Sequence, residues 1–336
     1  MHNGSSTVQF TSGSSAWDGP MVKNLNHSTF EWWYFDVLAD DGQSSVVFAF
    51  FTADYKCLFP GTPNPGTAVG MAATVAMPDG SDLSAAVLAE EITVDTVGSS
   101  SIGWFPGGSA LWAGTLDLSM YTLQFNAPQS GITGNVTMLS TAPAHFPCVP
   151  ASMGAGQSLK LGDTLGWFNA IPDSIAYVNL DMNDTSVQFA GHGYHDQNWG
   201  SVPVSNTTRF WYWGHANVGP YSIVWFDYMG LDGKEGSSGY IAHNGQIMSL
   251  TCGSMQVRPT GESVIFPPTL ANHSPRGFSI SIDVEPQGKF RMNVQNTRVV
   301  SDVYPSGMRW MGRVQGGFVG QQQYTGNALY EQFVFS

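Results

Sequence analysis

Alternation with a period of two dominates the chain. Residues 30–37 set Glu31, Trp33 and Phe35 against Trp32, Tyr34 and Asp36, the repeat of a strand with two distinct faces. The Asp41-Gly42 pair in "ADDGQ" then supports a hairpin turn, and "SVVFAFF" continues as a buried strand. Similar patterns predict strands over 67–77, 85–95, 110–118, 120–127, 131–140, 176–182 and 185–191, with "GTPNPGT" as a loop. Residues 141–172 lack a clean pattern and read as a long surface loop or a lid. After Gly200 the alternation restarts. "RFWYWGHANV" leads through Gly219-Pro220 into "YSIVWFDYMG", and "LDGK" turns into "SSGYIAH". Later strands fit 246–257, 277–285, 289–299, 308–317 and 326–335. No window carries the 3.6-residue period of an amphipathic helix.

An aromatic strand, a turn and a second apolar strand therefore open both halves, a weak internal repeat. The expectation is an all-β protein with two barrel-like or sandwich domains. One spans 1–190 and the other 191–336, with the changeover between about 185 and 205.

Composition narrows the function classes. The chain has 336 residues, only 11% of them charged, and a net charge of −13. Phosphate binding needs a basic face, so nucleic acid is excluded, and anionic membrane surfaces are disfavoured likewise. No apolar run reaches the ~18 residues of a membrane helix, so stable membrane insertion is not expected. Cys57, Cys148 and Cys252 allow at most one internal disulfide; Cys57 and Cys148 share the N-terminal half, which suggests that pair and leaves the pairing open. N-glycosylation sequons stand at Asn3, Asn26, Asn135, Asn183, Asn206 and Asn272. They suggest a secretory route, within an endomembrane lumen or outside the cell, although "MHNGSSTVQF" has no leader-like apolar run.

Polar chemistry concentrates in a few stretches. In "EWWYFD" a carboxylate among aromatics is costly to bury unpaired. Glu31 and Asp36 face opposite ways, so at most one points into a given cavity. Either is a carboxyl whose pKa apolar walls raise, or an ion-paired structural group. In "GHGYHDQNWG" His192, Tyr194 and Asp196 share a face and His195 takes the other. His192, His195 and Asp196 are conceivable metal ligands, but the pattern splits the histidines across faces, and no metal site is expected. The alternatives are a polar network beside a ligand, with Asn198 and Trp199, or an interdomain hinge. "FWYWGH" puts Trp211, Trp213 and His215 on one face, either as core or as the wall of a cavity for an unsaturated apolar ligand. Asp227 in "VWFDY" and Glu331 in "LYEQF" are further carboxylates within aromatic strands.

Three segments, "EWWYFDV", "GHGYHDQNWG" and "GGFVGQQQYTGNALYEQF", resemble in order the carotenoid 1,2-hydratase (hydroxyneurosporene synthase) and AttH-like group. That group includes the fungal lipocalin-like Diels–Alderases of secondary metabolism. The resemblance implies two lipocalin-like β domains with a pocket near their junction, and no metal or organic cofactor. It also implies a small hydrophobic unsaturated substrate, a polyketide or terpenoid, folded for a normal or hetero cycloaddition. On this reading Trp33, Trp199, Trp211 and Trp213 wall the cavity, and Tyr194, His195 or Asn198 donates to the substrate. Glu31 carries a proton and Asp196 orients a histidine, while Asp36, His192, His215, Asp227 and Glu331 complete the surroundings. Two other outcomes stay open. One is hydration of an isoprenoid double bond by carboxylate protonation. The other is a non-catalytic carrier or a sugar-active β protein.

Overall fold

The computed structural model describes residues 3–54, 57, 67–262, 264–270, 274–303 and 307–335. Strands carry the architecture, as the alternation requires. Eleven strands between Phe30 and Gly200 form one antiparallel sheet, and nine between Thr208 and Val334 form a second. Two-residue turns with positive φ at both positions join long hairpins, Asn183-Asp184 (51° and 63°) and Asn244-Gly245 (50° and 75°). That geometry matches the right-handed twist of the flanking strands.

Both sheets follow one plan. The first strand of each pairs with its last: Phe30–Ala39 with Thr185–Gly200, and Thr208–Val218 with Tyr324–Val334. In each, one pair of consecutive strands stands at opposite edges. Asp82–Leu88 and Thr93–Val97 do so in the first sheet, and Gln246–Cys252 and Met255–Thr260 in the second. Each sheet is thus an up-and-down ring opened between two successive strands. Single strands were expected over 85–95 and 246–257. The chain instead leaves one edge there and returns at the other, and Gly253 at φ 82° makes the second break.

Apolar side chains collect in three cores. One fills the inside of the first curled sheet, around Phe35, Trp112 and Tyr121, and one fills the second, around Tyr212, Trp225 and Tyr330. The third lies between the sheets and holds Tyr34, Trp167, Tyr194, Trp211, Trp213 and Phe226. Strands facing both an inner core and this shared core are buried on both sides. That accounts for the Leu165–Met182 strand, whose first ten residues are all buried. Its early part lacks alternation, which is why 165–172 reads as loop from sequence. The strand Thr185–Gly200 runs through the expected 190/191 boundary, pairing with the first sheet as far as Gly200 opposite Phe30. The change of sheet falls in 201–207.

Residues 141–164 do form irregular structure, but as a strap rather than a lid. Tyr240 Oη donates to the Pro143 carbonyl at 3.0 Å, and Cys148 is bonded to Cys252 of the second sheet. The suggested Cys57–Cys148 bridge is therefore replaced. Cys57 is a buried free thiol that donates to the His27 carbonyl at 3.1 Å, beside the cavity described next. The "GTPNPGT" loop up to Gly66 and the sequon at Asn272 lie outside the described residues.

Candidate active site

A cavity of about 300 Å³ opens between the two sheets. Strand alternation decides which residues reach it. From Phe30–Ala39 come Trp32 and Tyr34; from Thr185–Gly200, Asp196 and Asn198; from Thr208–Val218, Trp211 and Trp213. Arg309, Glu331, Phe333 and Phe335 enter from the C-terminal strands, and Phe226 from the strand between. Aromatic rings dominate the walls, and the charged groups among the lining are Asp196, Arg309 and Glu331.

Asp196 is the first of these. It is 3% exposed, and its Oδ2 accepts from Trp167 Nε1 and Tyr194 Oη, both at 2.7 Å. Among the described residues Oδ1 accepts no hydrogen bond, and Asp196 lines the cavity. Burial pushes this carboxyl up to about 7, against the pull of the two donors and with help from the Glu331 charge. Trp213 Nε1 donates to the Tyr194 oxygen at 3.3 Å. Tyr194 also stacks on the His215 ring at 4.8 Å, and His215 Nε2 meets Asp36 Oδ1 at 2.9 Å. A continuous polar-aromatic layer thus ties the two sheets together behind the acid.

The other cavity carboxylate is differently placed. Glu331 accepts from Trp211 Nε1 at 3.0 Å and forms a salt bridge with Arg309. Arg309 lies 5.0 Å from the centre of the Tyr34 ring. Its pKa is raised: burial opposes the charge, but Tyr34, Glu331 and Asp36 outweigh it. The guanidinium is a permanent cation held by its partner, with Nε unbonded.

Several expected site residues lie elsewhere. Glu31, Trp33, His195 and Trp199 point into the first sheet's own core, on the face opposite the cavity. There they form a bed for the N-terminal segment. Glu31 accepts from the Met21 amide at 2.6 Å and from Gln197 Nε2 at 2.8 Å. Trp33 Nε1 donates to the Asp18 carbonyl at 2.9 Å, and Trp199 Nε1 to the Gln9 carbonyl at 2.7 Å. His195 Nδ1 donates to the Tyr34 carbonyl at 2.9 Å, and its ring lies flat on Phe35 at 3.8 Å. Its Nε2 faces Asp18 Oδ2 at 3.1 Å, an oxygen that also receives Ser101 and Tyr121. Asp196 thus does not orient a histidine; its donors are an indole and a phenol. Burial pushes Glu31 up to about 8, so it is a neutral structural acid. Asp227 is buried inside the second sheet, accepting from the Val257 amide at 2.8 Å. His192 lies at the far rim of the junction, bonded to Asp173 at 2.9 Å. Asp36 and His215 form the tie behind the acid rather than lining the cavity.

Sequence reasoning missed Trp32, Tyr34, Trp167 and Arg309. Trp32 and Tyr34 were legible as the neighbours of Asp36 on its face. Arg309 carried a signal too, as a lone cation in the apolar run "GMRWMG".

Comparison with known proteins points the same way as the geometry. Residues 1–258 match the family described as Diels-Alderase-like. The chain is 32% identical over its whole length to the "Quinolone epoxide rearrangement protein asqO" of Emericella nidulans, spanning 92% of that protein. It is 30% identical to "Quinolone epoxide rearrangement protein penF" of Penicillium thymicola, again over all of this chain and 93% of the relative. Among solved structures it is similar to the crystal structure of CghA with Sch210972. There the TM-score is 0.76 at 19% identity, over 99% of this chain and 94% of that one.

Proposed function

The chain belongs to the Diels-Alderase-like family, and on that premise we propose that it isomerises a small oxygenated, unsaturated molecule by proton donation from Asp196. The substrate class is an epoxide on an aromatic, lactam-bearing scaffold of the quinolone type. One observation carries this reading: a buried carboxyl with a pKa near 7 lines an aromatic cavity, and one of its oxygens has no hydrogen-bond partner among the described residues.

The chemistry follows from that oxygen. Asp196 Oδ1–H protonates the epoxide oxygen as a C–O bond breaks, leaving a carbocation. A substituent on the hydroxyl-bearing carbon migrates with its bonding pair to the cationic carbon. The hydroxyl oxygen, now on the electron-poor carbon, returns its proton to the Asp196 carboxylate as the C=O bond forms. Substrate and product are isomers. Trp167 and Tyr194, already bonded to Oδ2, hold the carboxylate that forms on donation, so little reorganisation is needed. The faces of Trp32, Trp211, Trp213 and Phe226 surround the cation, each contact contributing about 0.5–2 kcal/mol. Arg309 donates to the scaffold carbonyl and fixes its position.

A second reading is a pericyclic cycloaddition, favoured by the family description. It uses the same walls for shape selection and needs no proton from Asp196.

The test is isomer formation from an aryl-quinolone epoxide, followed by chromatography and mass spectrometry. Asp196→Asn keeps the two donor contacts and removes the acid. A rate loss of about 10²-fold or more is expected. Wild-type rates in the variant would remove the acid from the mechanism and leave shape selection in its place.

A further inference from the structure

We propose that Asn135 carries an N-linked glycan whose inner sugars lie across the outer face of the first sheet and stack on Trp104. The site is remote from the cavity and does not rest on its proposed chemistry. Asn135-Val136-Thr137 is a sequon. In the Ile132–Ser140 strand, Val136 and Met138 point into the core and Asn135 points to solvent. Cross-strand partners then run in one row. Asn135 stands opposite Gln124, Gln124 opposite Leu111, and Leu111 opposite Trp104.

Three inter-strand steps of about 4.8 Å separate the ends of that row by about 14 Å, within reach of the first sugars of an N-glycan. The row lines a surface depression of about 640 Å³ with Thr122 and Asn126. Its far end is Trp104, an indole 37% exposed. An indole face attracts the C–H face of a sugar ring, and the amides of Gln124 and Asn126 suit its hydroxyls. Two other sequons differ: Asn26 Nδ2 is engaged with the Gly4 carbonyl at 3.1 Å and Asn183 Nδ2 with the Ser84 carbonyl at 3.2 Å, while Asn3 and Asn206 have no such row leading to an exposed indole. Asn135 makes no such bond among the described residues. The Cys148–Cys252 disulfide is a separate observation, since such bonds persist in the oxidising compartments where N-glycans are added.

The transfer is balanced with a polyprenyl-diphosphate-linked oligosaccharide as donor. Asn135 Nδ2 bonds to the anomeric carbon as the carbon–oxygen bond to the diphosphate breaks. The diphosphate leaves with the electron pair, and the amide nitrogen gives up a proton.

The experiment is secretion of the full chain from a eukaryotic host, followed by N-glycosidase F in ¹⁸O water and peptide mass spectrometry. The Asn135 peptide is expected to carry the isotope-marked aspartate, and its absence there would overturn the proposal. Stacking is tested separately with Trp104→Ala. The variant should lower Tm by about 2 °C in the glycosylated protein and by less after deglycosylation. An equal loss in both forms would overturn the contact with Trp104.

Discussion

At the scale of single residues, Tyr194 makes the clearest prediction. Its hydroxyl is one of two donors to Asp196 Oδ2, and that bond favours the charged carboxylate. Tyr194→Phe keeps the ring stacked on His215 and removes the donor, so the Asp196 pKa rises. Hydrogen bonds to charged groups contribute about 1.5–3 kcal/mol, or roughly one to two pH units. Wild-type activity is expected to fall as pH rises through about 7, where the acid loses its proton. In the variant the alkaline limb of kcat/KM against pH should move upward by about a unit. An unmoved limb would mean that another group sets the profile. Asp196 itself was legible as a polar residue in an aromatic strand, and its face was assigned correctly by counting from His192. Its partners were not legible: a histidine was expected beside it, whereas the groups bonded to it are Trp167 and Tyr194. The donors that matter include Trp167, in a segment whose two buried faces erase the alternation.

Elements explain why the other half of the expected site fell on the wrong side. A strand shared between an inner core and the junction has two demanding faces, so "EWWYFD" is equally aromatic on both. Composition cannot say which face meets the second sheet; only the pairing of Trp211 and Trp213 across the junction decides it. The aromatic density also explains glycines that look like turn signals but sit inside strands. Gly166 stands opposite Trp199, and a Cβ there would come within 2.1 Å of the indole. Gly103 meets Trp112 at the same distance. These glycines give an indole room to lie flat across the neighbouring strand. Gly166→Ala should therefore cost about 1–3 kcal/mol, the usual range for overpacking, and lower the denaturant midpoint without a change in m. An unchanged midpoint would show that Trp199 can move aside without loss.

For the whole molecule, the first-to-last pairing in both sheets means that the strands forming the junction are also the ones that close each ring. The fold class and the repeat were readable from alternation, whereas the break in each ring was not, because a strand looks the same in sequence whether its next neighbour is beside it or across the sheet. Burying polar groups in three cores has a consequence for stability against pH. Burial raises Glu31 to about 8 from 4.5 and Asp196 to about 7 from 3.8, and it raises Asp227 too, with the Glu235 charge adding to it. Between the ordinary and the raised values the folded chain binds more protons than the unfolded one, so stability falls as pH rises. His145, lowered by burial to about 4 from 6.5, acts in the opposite sense, but only below pH 6.5. Above that the acids act without that opposition, Asp196 up to about 7 and Glu31 up to about 8, each by up to about 1.4 kcal/mol per pH unit. Tm should fall by several degrees between pH 6.5 and 8.5. Glu31→Gln keeps the acceptor for Met21 and cannot ionise, so it should flatten that slope, most of all between pH 7 and 8. Because Glu31 lies outside the cavity, the same variant should retain activity. A slope unchanged by the substitution would place the proton uptake elsewhere, and a large loss of turnover would return Glu31 to the active site.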